Sequence, residues 1–218
     1  MNWKGKRAIF LGDSITEGAL ASCPEDVYHQ IVGRELGFSK TINCGKSGTR
    51  IARQREPSEN PSFDMDFNQR ADALDPEADL VVVFGGTNDF GHGDAPLGAF
   101  GDDTVYTFYG ACRCLFEKLA KKYGREKILA IMPLQRVDEE NPFGDGSKKR
   151  AGAILKDYVA ALSETAQSMG IRILDLWSDE KLNPNIDADK KYFGDGLHPN
   201  DAGHRILAEK ISDCLSAL

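Results

Sequence analysis

Residues 12–16 read GDSIT, directly behind the apolar run AIFL. A serine at the end of a buried strand, with aspartate and glycine beside it, suits either a strand-to-helix turn or a nucleophile held at a strand end. A serine hydroxyl is a weak nucleophile and needs a general base. The stretch DGLHPN at 195–200 offers one. Asp195 and His198 stand three residues apart, so in a turn the carboxylate can reach the imidazole and select its tautomer. Pro199 disfavours helix at His198, and Asn200 or Asp201 can cap a helix that follows. The plain alternative makes Asp195 a turn residue and His198 a packing residue at a helix start. Only the fold can join Ser14 to His198.

The elements that would position these residues alternate in type. Strand patterns cover Arg7–Leu11, Thr41–Cys44, Leu80–Phe84, Lys127–Met132 and Ile171–Leu176. Leu80–Phe84 reads LVVVF, an unbroken apolar run of the kind buried on both faces of a parallel sheet. Helical patterns cover Val27–Leu36, Phe63–Leu74 (the weakest), Thr104–Lys122, Lys149–Met169 and Ala202–Leu215. Strand alternating with helix predicts right-handed crossovers and a three-layer α/β/α sandwich on a five-stranded parallel sheet. No repeat, low-complexity segment or linker interrupts the chain, so residues 1–218 are expected to form one domain. GDSIT, GKSGTR (45–50) and GGTND (85–89) follow the first three strands, and open parallel sheets build sites at those strand ends. Two polar loops, Glu56–Phe63 and Val137–Ser147, stand out; the second follows the fourth strand and is read as a site wall, a lid or a solvated loop.

Composition narrows the function classes. The 218 residues carry a net charge of −7, with 41% hydrophobic and 28% charged residues. That balance opposes non-specific nucleic-acid binding, which needs a basic face. No apolar stretch approaches the ~20 residues that span a bilayer, and the first apolar run is too short for a signal peptide; a cytoplasmic location is the expectation. The five cysteines are odd in number and irregular in spacing, so free thiols are expected. No His/Cys cluster has metal spacing, and no metal or organic cofactor is expected.

On these four stretches the sequence resembles the SGNH hydrolases, also called GDSL esterases and lipases. Their four blocks supply Ser, Gly, Asn and His in chain order. GDSIT supplies Ser14, GKSGTR supplies Gly48, GGTND supplies Asn88, and DGLHPN supplies Asp195 and His198. The resemblance runs from residue 7 to the final helix. It implies a flavodoxin-like sandwich, Ser14 as nucleophile with Asp195 and His198 as its catalytic partners, and an oxyanion hole. The implied donors are the backbone N–H groups of Ser14 and Gly48 and the side-chain amide of Asn88. Such donors are worth roughly 10²–10³ in rate each.

Other residues border these blocks. Asp13 beside the nucleophile is expected to bond neighbouring loops rather than act as a base. Asp13 and His92 are candidates for substrate contact. Arg50 is read equally as a contact to a polar or anionic substrate and as a solvated surface residue. His29 and His204 fall in helical patterns and are expected to pack or lie at the surface. The expected activity is serine ester hydrolysis of small-molecule or carbohydrate esters, with short acyl groups such as O-acetyl preferred. A thioesterase or lysophospholipase could use the same site, and an inactive hydrolase-fold binding module is the reading from another class. A phosphate-binding loop at GKS fails, because Lys40 stands where the motif needs glycine. A homo-oligomer is left open.

Overall fold

The computed structural model describes residues 2–218. Its sheet has five parallel strands: β1 Arg7–Gly12, β2 Lys40–Gly45, β3 Leu80–Phe84, β4 Ile128–Ile131 and β5 Arg172–Leu174. They lie in the order β2-β1-β3-β4-β5. The order reverses direction at β1, so the connections after β1 and β3 leave for opposite faces and open a crevice between them. Register aligns the ends: Gly12 pairs with Gly45 on one side and with Phe84 on the other.

The described residues also form seven α-helices: α1 Ser14–Glu17, α2 Tyr28–Leu36, α3 Phe67–Arg70, α4 Thr87–His92, α5 Phe108–Tyr123, α6 Leu155–Ser168 and α7 Asp201–Ser216. The period of two in β1 splits the core. Ile9 and Leu11 pack with Val81, Val83, Phe67, Phe108, Leu115 and Tyr158, beneath α3, α5 and α6. Ala8 and Phe10 pack with Val82, Phe84, Tyr28, Val32, Leu207 and Ile211, beneath α2 and α7. These two apolar layers, each removing side chains from water at ~1.5–3 kcal/mol apiece, hold the strands in the middle of three layers.

Several boundaries differ from the sequence patterns, each for a local reason. The weak pattern at Phe63–Leu74 is no single helix. It divides into a 3₁₀ turn at Pro61–Asp64, the four-residue α3 and a second 3₁₀ turn at Ala71–Ala73. Asp66 restarts the helix by accepting the Gln69 N–H. The fifth helix starts at Phe108 rather than Thr104, because the Thr107 hydroxyl caps the Gly110 N–H. The sixth starts at Leu155 rather than Lys149, where the Asp157 carboxylate accepts the Ile154 N–H. Helices α1 and α4 are short turns that apolar periodicity does not reveal. His29 and His204 pack inside: both are buried, and burial pushes His29 down to about 4. All five cysteines are free.

The strand ends are tied together by side chains from below. Asp89, in α4, is fully buried and accepts the backbone N–H groups of Ile51 and Ala52 at 2.9 and 2.8 Å. It clamps the loop after β2 onto the helix after β3. Arg70, at the end of α3, donates to the carbonyls of Cys44 and Gly12 and to the Thr49 hydroxyl, bridging β2, β1 and that same loop.

Burial pushes the Asp89 carboxyl up from 3.8 to about 7, against the two N–H bonds that favour its charge. The folded protein therefore keeps a proton that the unfolded chain has released. This contribution is fully present below about pH 4 and is lost as pH rises through 7. Urea denaturation of wild type beside Asp89→Asn should show wild type losing stability relative to the variant between about pH 4 and 8, on the order of a few kcal/mol. A difference that does not change with pH would mean that Asp89 ionises freely in the folded state.

Candidate active site

β1 runs out at Gly12, and the chain turns sharply into α1. A Cβ on Gly12 would stand 1.9 Å from the Thr16 hydroxyl oxygen and 2.9 Å from the Phe84 carbonyl, so only glycine fits this turn. Asp13 caps α1 by accepting the Ile15 N–H at 3.1 Å. It is buried, and burial pushes its carboxyl up to about 6. Its observed bond lies within its own turn, so it shapes the loop that presents Ser14.

Ser14 is 7% exposed, and its Oγ lies 2.8 Å from His198 Nε2. His198 Nδ1 lies 2.6 Å from Asp195 Oδ2. The other Asp195 oxygen accepts the backbone N–H groups of His198 and Leu197 at 2.7 and 3.0 Å. Burial works to raise Asp195, but these bonds and the imidazole outweigh it and hold the carboxyl below its ordinary value. An ionised Asp195 favours the proton on Nδ1, which leaves the Nε2 lone pair facing the serine. The turn is built for this. Phe193 and Pro199 bridge in antiparallel fashion, Gly196 takes φ +80°, and the Asn200 side chain caps α7 through Ala202 and Gly203. Of the two cap candidates, Asn200 holds the position.

The loop after β2 reaches the same edge. Gly45 sits so close to α1 that a Cβ there would be 2.1 Å from the Glu17 backbone nitrogen. Glu17 accepts the Ser47 N–H at 2.8 Å and the Ser47 hydroxyl. Gly48 takes φ +72°, with the Phe63 ring packed where a side chain would begin. Asn88, in α4 and 4% exposed, donates from Nδ2 to the Thr49 carbonyl at 3.0 Å. One amide hydrogen is thereby used, and the second remains. Among the described residues, neither the Ser14 nor the Gly48 N–H donates to a protein acceptor. These are donors left over at the rim of a sheet, in a fold that otherwise pairs its backbone.

Two of the bordering residues are engaged by other protein groups. Arg50 is no solvated surface residue: it is 3% exposed, and its guanidinium bonds the Ser58 hydroxyl at 3.0 Å from both Nη atoms and faces Asp64 at 3.5 Å. The segment carrying Ser58 and Asp64 folds back over it, so its charge is spent inside the protein. His92 is partly buried, with Nε2 3.0 Å from the Gly48 carbonyl and Nδ1 3.3 Å from Asp145. Its ring lies against Phe63. Both ring nitrogens are thus occupied by protein groups.

The loop Val137–Ser147 is fastened on both sides. The Val137 N–H donates to Gly196 in the Asp195 turn, and the Asp145 N–H donates to Gly91 at the end of α4. That makes it a wall. Just before it, Arg136 is buried and reaches the Thr87 hydroxyl at 3.3 Å, with its Nε unpartnered. Sequence reasoning missed Glu17, Arg70, Asp89, Arg136 and Asp145. Glu17 and Asp89 stand in or beside the quoted blocks, where their neighbours drew the attention; Arg70 and Arg136 carry no local signal. No group of three or more potential metal ligands occurs among the described residues.

Comparison with known proteins supplies the remaining constraint. Among curated proteins none matches the sequence. A protein of known structure from Lactobacillus plantarum is 32% identical, with 98% of each chain covered and a TM-score of 0.82. A lipase/acylhydrolase from Enterococcus faecalis is 21% identical over 97% of this chain and 96% of its own, with a TM-score of 0.64. An acetyl xylan esterase is likewise 21% identical, over 95% of this chain and 98% of its own, with a TM-score of 0.65. At that identity the last two speak for the fold. The profile of the GDSL-like Lipase/Acylhydrolase family matches residues 10–206. With the match running from β1 well into α7, the chain belongs to the GDSL-like lipase/acylhydrolase family, whose general activity is the hydrolysis of carboxylic esters.

Proposed function

We propose that this protein is a serine esterase working through a covalent acyl-enzyme, with Ser14 as nucleophile and His198 and Asp195 as its proton relay and orienting carboxylate. The observation that carries this reading is the unbroken line from Ser14 Oγ to His198 Nε2 at 2.8 Å and from His198 Nδ1 to Asp195 at 2.6 Å. In the first half-reaction Ser14 Oγ attacks the ester carbonyl and His198 takes the serine proton. The carbonyl oxygen becomes an oxyanion beside the Ser14 N–H, the Gly48 N–H and the free amide hydrogen of Asn88, which are fixed before the charge arrives. The tetrahedral intermediate collapses, the alcohol leaves, and His198 returns the proton to it. Water then repeats the sequence on the acyl-enzyme and releases the acid.

Short acyl groups suit this site best, and an O-acetyl ester of a carbohydrate is the proposed substrate class. The gap beside Asp13, between Ile15, Phe84, Thr87, Pro133 and Leu197, has no room for even a water-sized molecule. An acyl chain therefore finds no channel into the sheet there. The acetyl xylan esterase that shares the fold supports the same class. One observation favours a second reading. Leu20, 49% exposed, packs on Gly194, and Val137, 37% exposed, packs on Gly196. The two flank the Asp195 turn with apolar surface, on which a longer acyl group of a thioester or lysophospholipid could lie.

Hydrolysis of p-nitrophenyl esters from acetate to octanoate separates these readings. Wild type should prefer acetate over octanoate by about tenfold or more in kcat/KM, because the extra methylenes find no pocket; a pocket that took them would favour octanoate by roughly 1 kcal/mol or more per methylene. A preference for octanoate would support the thioesterase or lysophospholipase reading. Asn88→Ala should lower kcat by about a hundredfold while KM changes little, because its donor acts on the transition state. A raised KM with kcat intact would instead make Asn88 a ground-state binding residue.

A further inference from the structure

The Gly48 peptide lies between two fastened points. On its amino side the Ser47 N–H is held at 2.8 Å by Glu17, which belongs to the Ser14 helix. On its carboxyl side the Gly48 carbonyl faces His92 Nε2 at 3.0 Å. The next carbonyl, that of Thr49, accepts from Asn88. Only the Gly48 N–H between them has no protein acceptor among the described residues. Glycine in the left-handed region rotates more freely than any other residue. A donor on such a residue points in one direction only if its flanking peptides are held.

His92 supplies that hold from the last turn of α4, and it is itself held. The Phe63 ring lies tilted against the imidazole at 5.5 Å between centroids, and Asp145 lies 3.3 Å from Nδ1. The same Phe63 ring occupies the space where a Gly48 side chain would begin. A carbonyl can only accept, so in the 3.0 Å contact Nε2 carries the proton. Asp145 stands in the wall loop after β4, and its backbone N–H donates to the Gly91 carbonyl at 2.9 Å. A chain of contacts thus runs from the wall loop through Asp145 and His92 to the peptide beside the nucleophile.

We infer that His92 is a positioning residue that aims the Gly48 N–H at the developing oxyanion. The inference rests on the serine esterase reading of the site, because a positioned donor matters to rate only where an oxyanion forms. It replaces the substrate contact expected of His92 with a role one peptide removed from the substrate. The geometry makes His92 a determinant of kcat rather than of substrate affinity, since a misaimed donor weakens transition-state stabilisation most.

The test measures kcat and KM on p-nitrophenyl acetate, with the amide spectrum of ¹⁵N-labelled protein alongside. His92→Ala should lower kcat about tenfold or more, approaching the loss of a whole donor, with KM within about twofold of wild type. His92→Gln, whose amide can still donate to the Gly48 carbonyl, should recover most of that loss. In His92→Ala the Gly48 amide resonance should move while the dispersion of the rest shows an intact fold. A raised KM with kcat unchanged in His92→Ala would overturn the inference and restore a substrate contact. So would an unmoved Gly48 resonance, which reads the positioning even if wild type hydrolyses no ester and the esterase reading itself fails.

Discussion

The register of the three central strands is the constraint on which the site depends. Gly12 pairs with Gly45 and with Phe84, so β1, β2 and β3 end at one level. The loops that follow them start side by side and carry Ser14, Gly48 and Asn88. A slip of one residue in any of these pairings would turn a core-facing side chain to the opposite layer. The buried faces of β1 and β3 therefore specify the site as firmly as they specify the sheet. His198 comes from the far end of the chain, and α7 brings it back by packing against α2 on one face of the same sheet.

Above that scaffold the loops are held by ions and amides that the core has partly desolvated. Asp89 ties α4 to the loop after β2, and Arg70 ties that loop to the ends of β1 and β2, while at the surface Glu17 ties it to α1, which carries Ser14. Burial lowers Arg70 to about 10, which leaves it charged at neutral pH. Asp89 and Arg70 thus each have specific partners, as desolvated polar groups require. Fixed dipoles around an empty reaction volume are what transition-state stabilisation needs, because they do not reorganise when charge develops.

Much of this was legible in the sequence, and the limits have physical causes. LVVVF announces a doubly buried strand, and β3 matches it residue for residue. The four blocks were readable because glycine admits the sharp turns after the strands, including φ +72° at Gly48, while Pro199 keeps His198 extended before α7. The long amphipathic helices were readable from their apolar stripes. The weak pattern at 63–74 was not, because Asp66 and its neighbours bond locally and break the helix into turns. The fate of Arg50 and His92 was hidden for a different reason. Their partners, Ser58 and Asp64 for one and Gly48 and Asp145 for the other, are set by loop conformations with no periodic signature.

The central claim is that Ser14 forms a covalent acyl-enzyme with His198 as its base. The most direct measurement is intact-protein and peptide mass spectrometry after treatment with an alkyl fluorophosphonate, which a serine activated in this way attacks to give a stable adduct. The account predicts a single adduct on Ser14 in wild type, formed far more slowly in His198→Ala and absent in Ser14→Ala. Ester hydrolysis that persists while Ser14 remains unmodified, or an adduct on another residue, would contradict it.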